Sequence, residues 1–297
     1  MMKKKLLNKK VLLLVALVII SISLTGCGIP QNEDGSYKLI ELTTTFKETM
    51  EQENWFNAIL VWPMAQALNY LTPKIGVLGS IALLTVLVNL ILLAVTLKAQ
   101  IGQQQMQLMQ PQLEKIQRKY EGRTDDASRM KQANEMNALY KKYNVNPFSM
   151  ILITFLQFPI IIAMYQAVQR SAVLKSSTFL GLNLNSTPLE GIRNGQFLYI
   201  LIFAVMGICQ FASMYLPQYL AKKREEAEAE KHHRKPKDTQ QSKQQKYMQY
   251  YFMGMILIFG LMWPTTMSIY WAINSLVTIA KTLLVQNIIE RKEGATA

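Results

Sequence analysis

Residues 76–97, GVLGSIALLTVLVNLILLAVTL, form an apolar run that contains one strongly polar side chain, Asn89. About 20 apolar residues rising 1.5 Å each cross a hydrocarbon layer of roughly 30 Å, so this run predicts a membrane-spanning helix. Lys98 closes the run. At 1.5 Å per residue, Asn89 sits roughly 13 Å inward from it. An amide at that depth costs free energy unless it meets a partner or water. The rest of the chain must supply what Asn89 faces.

Four more apolar runs follow, at 148–169, 195–217, 247–263 and 265–288. Only Trp263-Pro264 separates the last two, which predicts an antiparallel pair. Half of the residues are hydrophobic, and the charged ones come in blocks between apolar runs. The fold class is therefore an all-α polytopic membrane protein with five spans. The two cysteines, Cys27 and Cys209, lie far apart in different settings and imply neither a disulfide framework nor a metal site. The two histidines, His232 and His233, are neighbours in one charged loop, which argues against a His-based catalytic centre or an enzyme.

The N-terminus reads as a signal peptide over 1–26, with Lys3, Lys4, Lys5, Lys9 and Lys10 before an apolar core. Leu24-Thr25-Gly26-Cys27 resembles the bacterial lipobox, in which the cysteine is acylated and becomes the new N-terminus. The expected cofactor complement is none beyond a covalent diacylglycerol and N-acyl lipid on Cys27. Two such chains give stable anchoring and place residue 27 outside the cell. The alternative is an uncleaved membrane helix.

Residues 27–75 read as a polar tether and then an interfacial amphipathic helix, WFNAILVWPMAQALNYL, interrupted by Pro63. Residues 98–147 predict a helical hairpin outside the membrane, turning at Glu121-Gly122-Arg123-Thr124. Met106, Met109, Leu113 and Ile116 are expected to face Met130, Ala133, Met136 and Leu139. Such a methionine-rich surface suits varied apolar partners.

Nine Lys/Arg lie in 98–147 and nine in 218–246, against three in 170–195 and three in 28–75. The positive-inside rule makes the two basic segments cytoplasmic, leaving the 170–194 loop outside and the 289–297 tail inside. With direction fixed, Gln157 in the second span and Gln210 in the third fall about 12–14 Å from the inner interface, as Asn89 does. Thr85, Thr154 and Ser213 extend the same faces at spacings of three or four residues. In the fifth span Trp271, Asn274, Thr278 and Lys281 make one inward-running face, with Lys281 long enough to snorkel to the cytoplasmic interface. Isolated amides can simply bond across a packed bundle. Four at one depth suggest a water-containing hollow open to the cytoplasm.

These features resemble the YidC/Oxa1/Alb3 family of membrane protein insertases in its Gram-positive lipoprotein form. The resemblance rests on the first span followed by a hairpin, Asn146-Pro147 with Gln157-Phe158-Pro159, Met206-Gly207 with Gln210-Phe211, and Pro264 with Tyr270-Trp271 and Asn274. It implies five spans around a hydrophilic groove open to cytoplasm and lipid, a hairpin that recruits substrate, and no nucleotide or cofactor. One departure stands out. The family's first span usually carries an arginine in Val-Arg-Leu-x-Leu-x-Pro, where this chain has Val88-Asn89-Leu90 and then Ala94. The expectation is a groove without a cation at that site, less dependent on substrate carboxylates.

The implied partners are nascent membrane proteins and membrane lipids, with the Sec translocon, a ribosome or a targeting receptor reached through the cytoplasmic loops, and no DNA. The basic segment 222–246 also suits anionic lipid. A small-solute transporter or channel is disfavoured by the missing inverted repeat and intramembrane acids. A non-inserting scaffold lipoprotein is the remaining alternative. The expected location is the cytoplasmic membrane.

Overall fold

The computed structural model describes residues 28–143, 145–146, 148–231, 233 and 243–294, without the side chains of 107–108, 110–111, 148–155, 225, 228, 243–246, 248 and 292–294. The signal peptide, Cys27, Pro147 and most of the basic loop beyond residue 231 lie outside the described residues. In chain order come α1 (Phe46–Gln52), a π-helical turn (Asn57–Val61), α2 (Trp62–Lys119), α3 (Asp126–Lys142) and α4 (Phe148–Arg170). Then follow α5 (Ala172–Lys175), β1 (Thr178–Phe179), β2 (Leu182–Asn183), α6 (Pro188–Arg193), α7 (Phe197–Lys231), α8 (Lys243–Met262) and α9 (Thr265–Gly294). The two strands pair antiparallel, Phe179 opposite Leu182. Asn57–Met106, Phe197–Lys231 and Thr265–Arg291 are each long and apolar enough to cross a membrane. Within α8 the apolar stretch Gln249–Met262 is shorter.

Pro63 does not interrupt the helix as the sequence suggested. A proline ring clashes with the carbonyl four residues before it, and here that carbonyl belongs to Ile59 in the wider π turn. The real break is Gly76, at φ 72° and ψ 172°. That region of backbone space is open essentially to glycine alone. Beyond it the helix runs on through Lys98 to Lys119, so the apolar run and the first hairpin arm form one rod. Gly76→Ala is expected to cost about 1–3 kcal/mol, read as a lower Tm in detergent, because a Cβ there is strained even though nothing crowds it.

The chain forms two compact units. The first comprises the described residues of 28–77 and Pro159–Ser177. In it the expected polar tether is a folded element. Thr45 caps α1 by accepting from the Glu48 N–H at 3.2 Å. Ile40 bridges to Ser171, its N–H donating to the Arg170 carbonyl at 2.6 Å. Arg170, 1 % exposed, gives two N–H groups to the Glu53 carboxylate and its Nε–H to the Lys38 carbonyl at 2.7 Å. The buried Asn69 donates to the Ile40 carbonyl at 2.6 Å and accepts from Ser171 Oγ at 2.7 Å and the Val173 N–H at 3.1 Å. A lone tether has no way to satisfy its backbone in an apolar setting; Asn69 and Arg170 do that for it.

The second unit comprises the described residues of Leu78–Phe158 and 178–294, where α9 packs along α7 with α8 beside them. The segment expected as a plain polar loop is structured. Thr187 and Glu190 form a capping box on α6. Thr265 donates to the Ser186 carbonyl through both N–H (3.0 Å) and Oγ1–H (2.7 Å), and Tyr199 OH donates to the Asn183 carbonyl at 2.8 Å. These bonds pin the starts of α7 and α9 to one loop.

The hairpin closes on Met106 and Met109 against Leu139 as expected, with Val145, Tyr140 and Tyr143 added to that contact. Met106, Met109 and Val145 are buried against Leu139, Tyr140 and Tyr143, whereas Met130 is 67 % exposed. Asp125 caps α3, and Gln112 donates to Tyr143 OH at 2.7 Å. Lys119 and Tyr120 both donate to Glu135, at 2.6 and 2.8 Å. Those two bonds, Lys119's first, hold the Glu135 carboxyl below its ordinary range. The facing expected from the sequence left out Tyr140 and Tyr143, which pack against this cluster.

Candidate functional site

The second unit gathers its buried amides on α9. Asn89 on α2, 4 % exposed, donates through Nδ2 to its own Thr85 carbonyl at 2.9 Å and to Asn274 Oδ1 at 3.0 Å. One residue on, Ser275 Oγ donates to Gln210 Oε1 of α7 at 2.8 Å. Adjacent residues point about 100° apart around a helix, so Asn274 and Ser275 serve neighbours on two sides. α9 is thus the hub that joins α2 and α7 by polar contacts.

Lys281 lies two turns beyond Asn274 and places its Nζ 2.7 Å from Asn89 Oδ1. The snorkelling expectation is corrected: the ammonium turns inward to the amide. So is the expectation that no cation stands at position 89, since α9 brings one to it. Asn89's carboxamide is now accounted for, with both N–H groups donated and its oxygen accepting.

Several expected site residues stay on their own helices. Thr85 Oγ1 donates to the Ile81 carbonyl at 2.7 Å, Thr278 Oγ1 to the Asn274 carbonyl at 2.8 Å and Ser213 Oγ to the Gln210 carbonyl at 2.8 Å. They satisfy themselves and line the cluster without linking helices. Trp271 stacks on Trp263 with centroids 5.5 Å apart, and Trp263 on Phe259 at 5.1 Å, so it fastens α9 to α8 rather than joining the amides. Gln157 on α4 is half-buried, and among the described residues no hydrogen bond joins it to Asn89, Gln210 or Asn274. The Thr154 side chain lies outside the described residues.

Two contributors escaped the sequence reading. Ser275 looks like any serine in an apolar run. Gln104 donates to Gln286 Oε1 at 2.7 Å, a second buried α2–α9 link, but glutamine-rich surroundings made Gln104 read as a hairpin residue. Among the described residues no group of His, Cys, Asp and Glu is placed to hold a metal.

Several known proteins are similar to this chain in sequence. A family model described as 60Kd inner membrane protein matches residues 68–293. Membrane protein insertase YidC 1 of Listeria monocytogenes serotype 4b is 27% identical over the whole chain and 90% of the relative. Membrane protein insertase MisCA of Bacillus subtilis is 25% identical over 85% of the chain and 88% of its own length. Membrane protein insertase YidC 1 of Streptococcus pyogenes serotype M3 is 30% identical over 77% of the chain and 73% of its own length.

Proposed function

The chain belongs to the YidC/Oxa1/Alb3 family of membrane protein insertases, a non-enzymatic family, and on that footing we propose how it eases nascent segments into the cell membrane. Polar residues of an entering segment exchange bulk water for the amides and water of a cytoplasm-open groove. The apolar part then leaves sideways into lipid, driven by removal of its apolar area from water. The observation that carries this reading is the Asn89–Asn274 bond at 3.0 Å with Ser275–Gln210 at 2.8 Å, which links α2 and α7 to α9 through polar side chains. No chemical step is required, so no nucleotide or cofactor takes part.

The same proposal includes α4 and α8 as the fourth and fifth spans, with the hairpin and C-terminus cytoplasmic. Residues 1–26 serve as a cleaved signal peptide, and Cys27 carries the lipid anchor outside. The hairpin and basic loop meet a ribosome, a targeting receptor or the Sec translocon. Gln157 and Thr154 complete the groove wall from α4.

The test is depletion of the insertase in a bacterial host, with this chain supplied in its place. Insertion of a small single-span protein is expected to recover, scored by protease protection of its translocated end. Stable, membrane-located protein that restores no insertion would favour the scaffold alternative.

A further inference from the structure

We infer that Lys281 is the capture site for a carboxylate on the entering polypeptide, held in position by Asn89; this rests on the insertase reading above. The Lys281 ammonium is anchored by one neutral acceptor, Asn89 Oδ1 at 2.7 Å, and has three N–H donors to place. Among the described residues no carboxylate lies within 4.0 Å of it. The sequence explains why none is available: residues 78–113, 148–170, 197–224 and 243–289 contain no Asp or Glu at all. A cation inside apolar helices is costly unless it is paired. This chain's apolar helices offer no anion to pair with it, so a carboxylate carried in by another chain finds it without an ionic partner.

Position selects the source. Lys281 is about 10 Å inward of residue 288 at 1.5 Å per residue, and its stem is spent reaching further inward to Asn89. That orientation turns the charge away from the headgroup layer, where a snorkelling lysine would meet lipid phosphate. A carboxylate on a segment passing through the polar cluster meets it directly. The bond to Asn89, itself braced by Asn274 at 3.0 Å, fixes the ammonium's direction in advance.

The experiment uses the full chain in proteoliposomes and two single-span clients that differ only in two residues of the translocated end, Asp in one and Asn in the other. The readout is the ratio of their insertion. Lys281→Gln is expected to lower the Asp-to-Asn ratio about tenfold, the scale of one desolvated charge contact. Lys281→Arg is expected to keep the ratio, and the exchange Asn89→Lys with Lys281→Asn to restore it. A ratio unmoved by Lys281→Gln, with both clients falling together, makes Lys281 a structural residue and overturns the proposal. A drop that vanishes in vesicles lacking anionic lipid reassigns Lys281 to anionic lipid headgroups and also overturns it. If the unmodified chain inserts neither client, the insertase reading itself fails.

Discussion

Glu53→Gln is expected to destabilise the first unit by about 3–5 kcal/mol, the usual cost of removing one partner from a buried ion pair. The Glu53 and Arg170 side chains are 5% and 1% exposed. Arg170 cannot shed its proton, so the neutral variant leaves a fixed charge buried with neutral acceptors only, the Lys38 carbonyl at 2.7 Å and the new amide oxygen. The effect should spread, because the backbone of Arg170 and its neighbours carries the bridge to Ile40 and Asn69 depends on the same turn. Thermal unfolding in detergent and protease cutting within residues 28–52 should both report it. The double variant Glu53→Leu with Arg170→Met separates charge from shape. Replacing both partners by apolar groups is often neutral or better, so most of the lost stability should return. If the single variant unfolds no more easily than the unmodified chain, the ion pair does not hold this unit.

That pair also shows what a sequence conceals. The apolar runs announced the helices because period and length are local properties. Arg170 announced nothing beyond the end of a span, since its partner is 117 positions away and sits in a stretch that reads as polar tether. The same holds at the candidate site. Asn89 and Asn274 were legible because an amide in an apolar run is conspicuous, and depth arithmetic aligned them. Lys281 was visible but misdirected: its length allows either snorkelling or an inward turn, and only the tertiary position of Asn89 decides between them. Ser275 had no signal at all. Pro63 and Gly76 were the reverse case. The proline drew the eye, but a π turn absorbs it, whereas Gly76 takes a φ of 72° that no composition rule demands at the start of an apolar run.

Two substitutions at position 89 should pull fold and function apart. Asn89→Leu removes the acceptor of Lys281 and the donor to Asn274, leaving an ammonium and an amide oxygen unpaired in one place. A hydrogen bond to a charged group contributes about 1.5–3 kcal/mol, and the loss should appear as a lower Tm together with poorer insertion of every client. Asn89→Asp is nearly the same size and behaves differently. Its carboxylate sits where Oδ1 accepted from Lys281 at 2.7 Å, so the lysine stays in place and is neutralised within the protein. The ion pair roughly repays its desolvation, but the Thr85 carbonyl and Asn274 Oδ1 lose their donor, so the Tm should fall modestly, by about one hydrogen bond's worth. The charge offered to an entering segment is cancelled, and the Asp-to-Asn client ratio should fall about tenfold while the fold persists. A purely structural role for Asn89 predicts the same damage from Asn89→Leu but an Asp-to-Asn ratio unmoved by Asn89→Asp. The two variants therefore distinguish an amide that merely fills a polar gap from one that aims a charge.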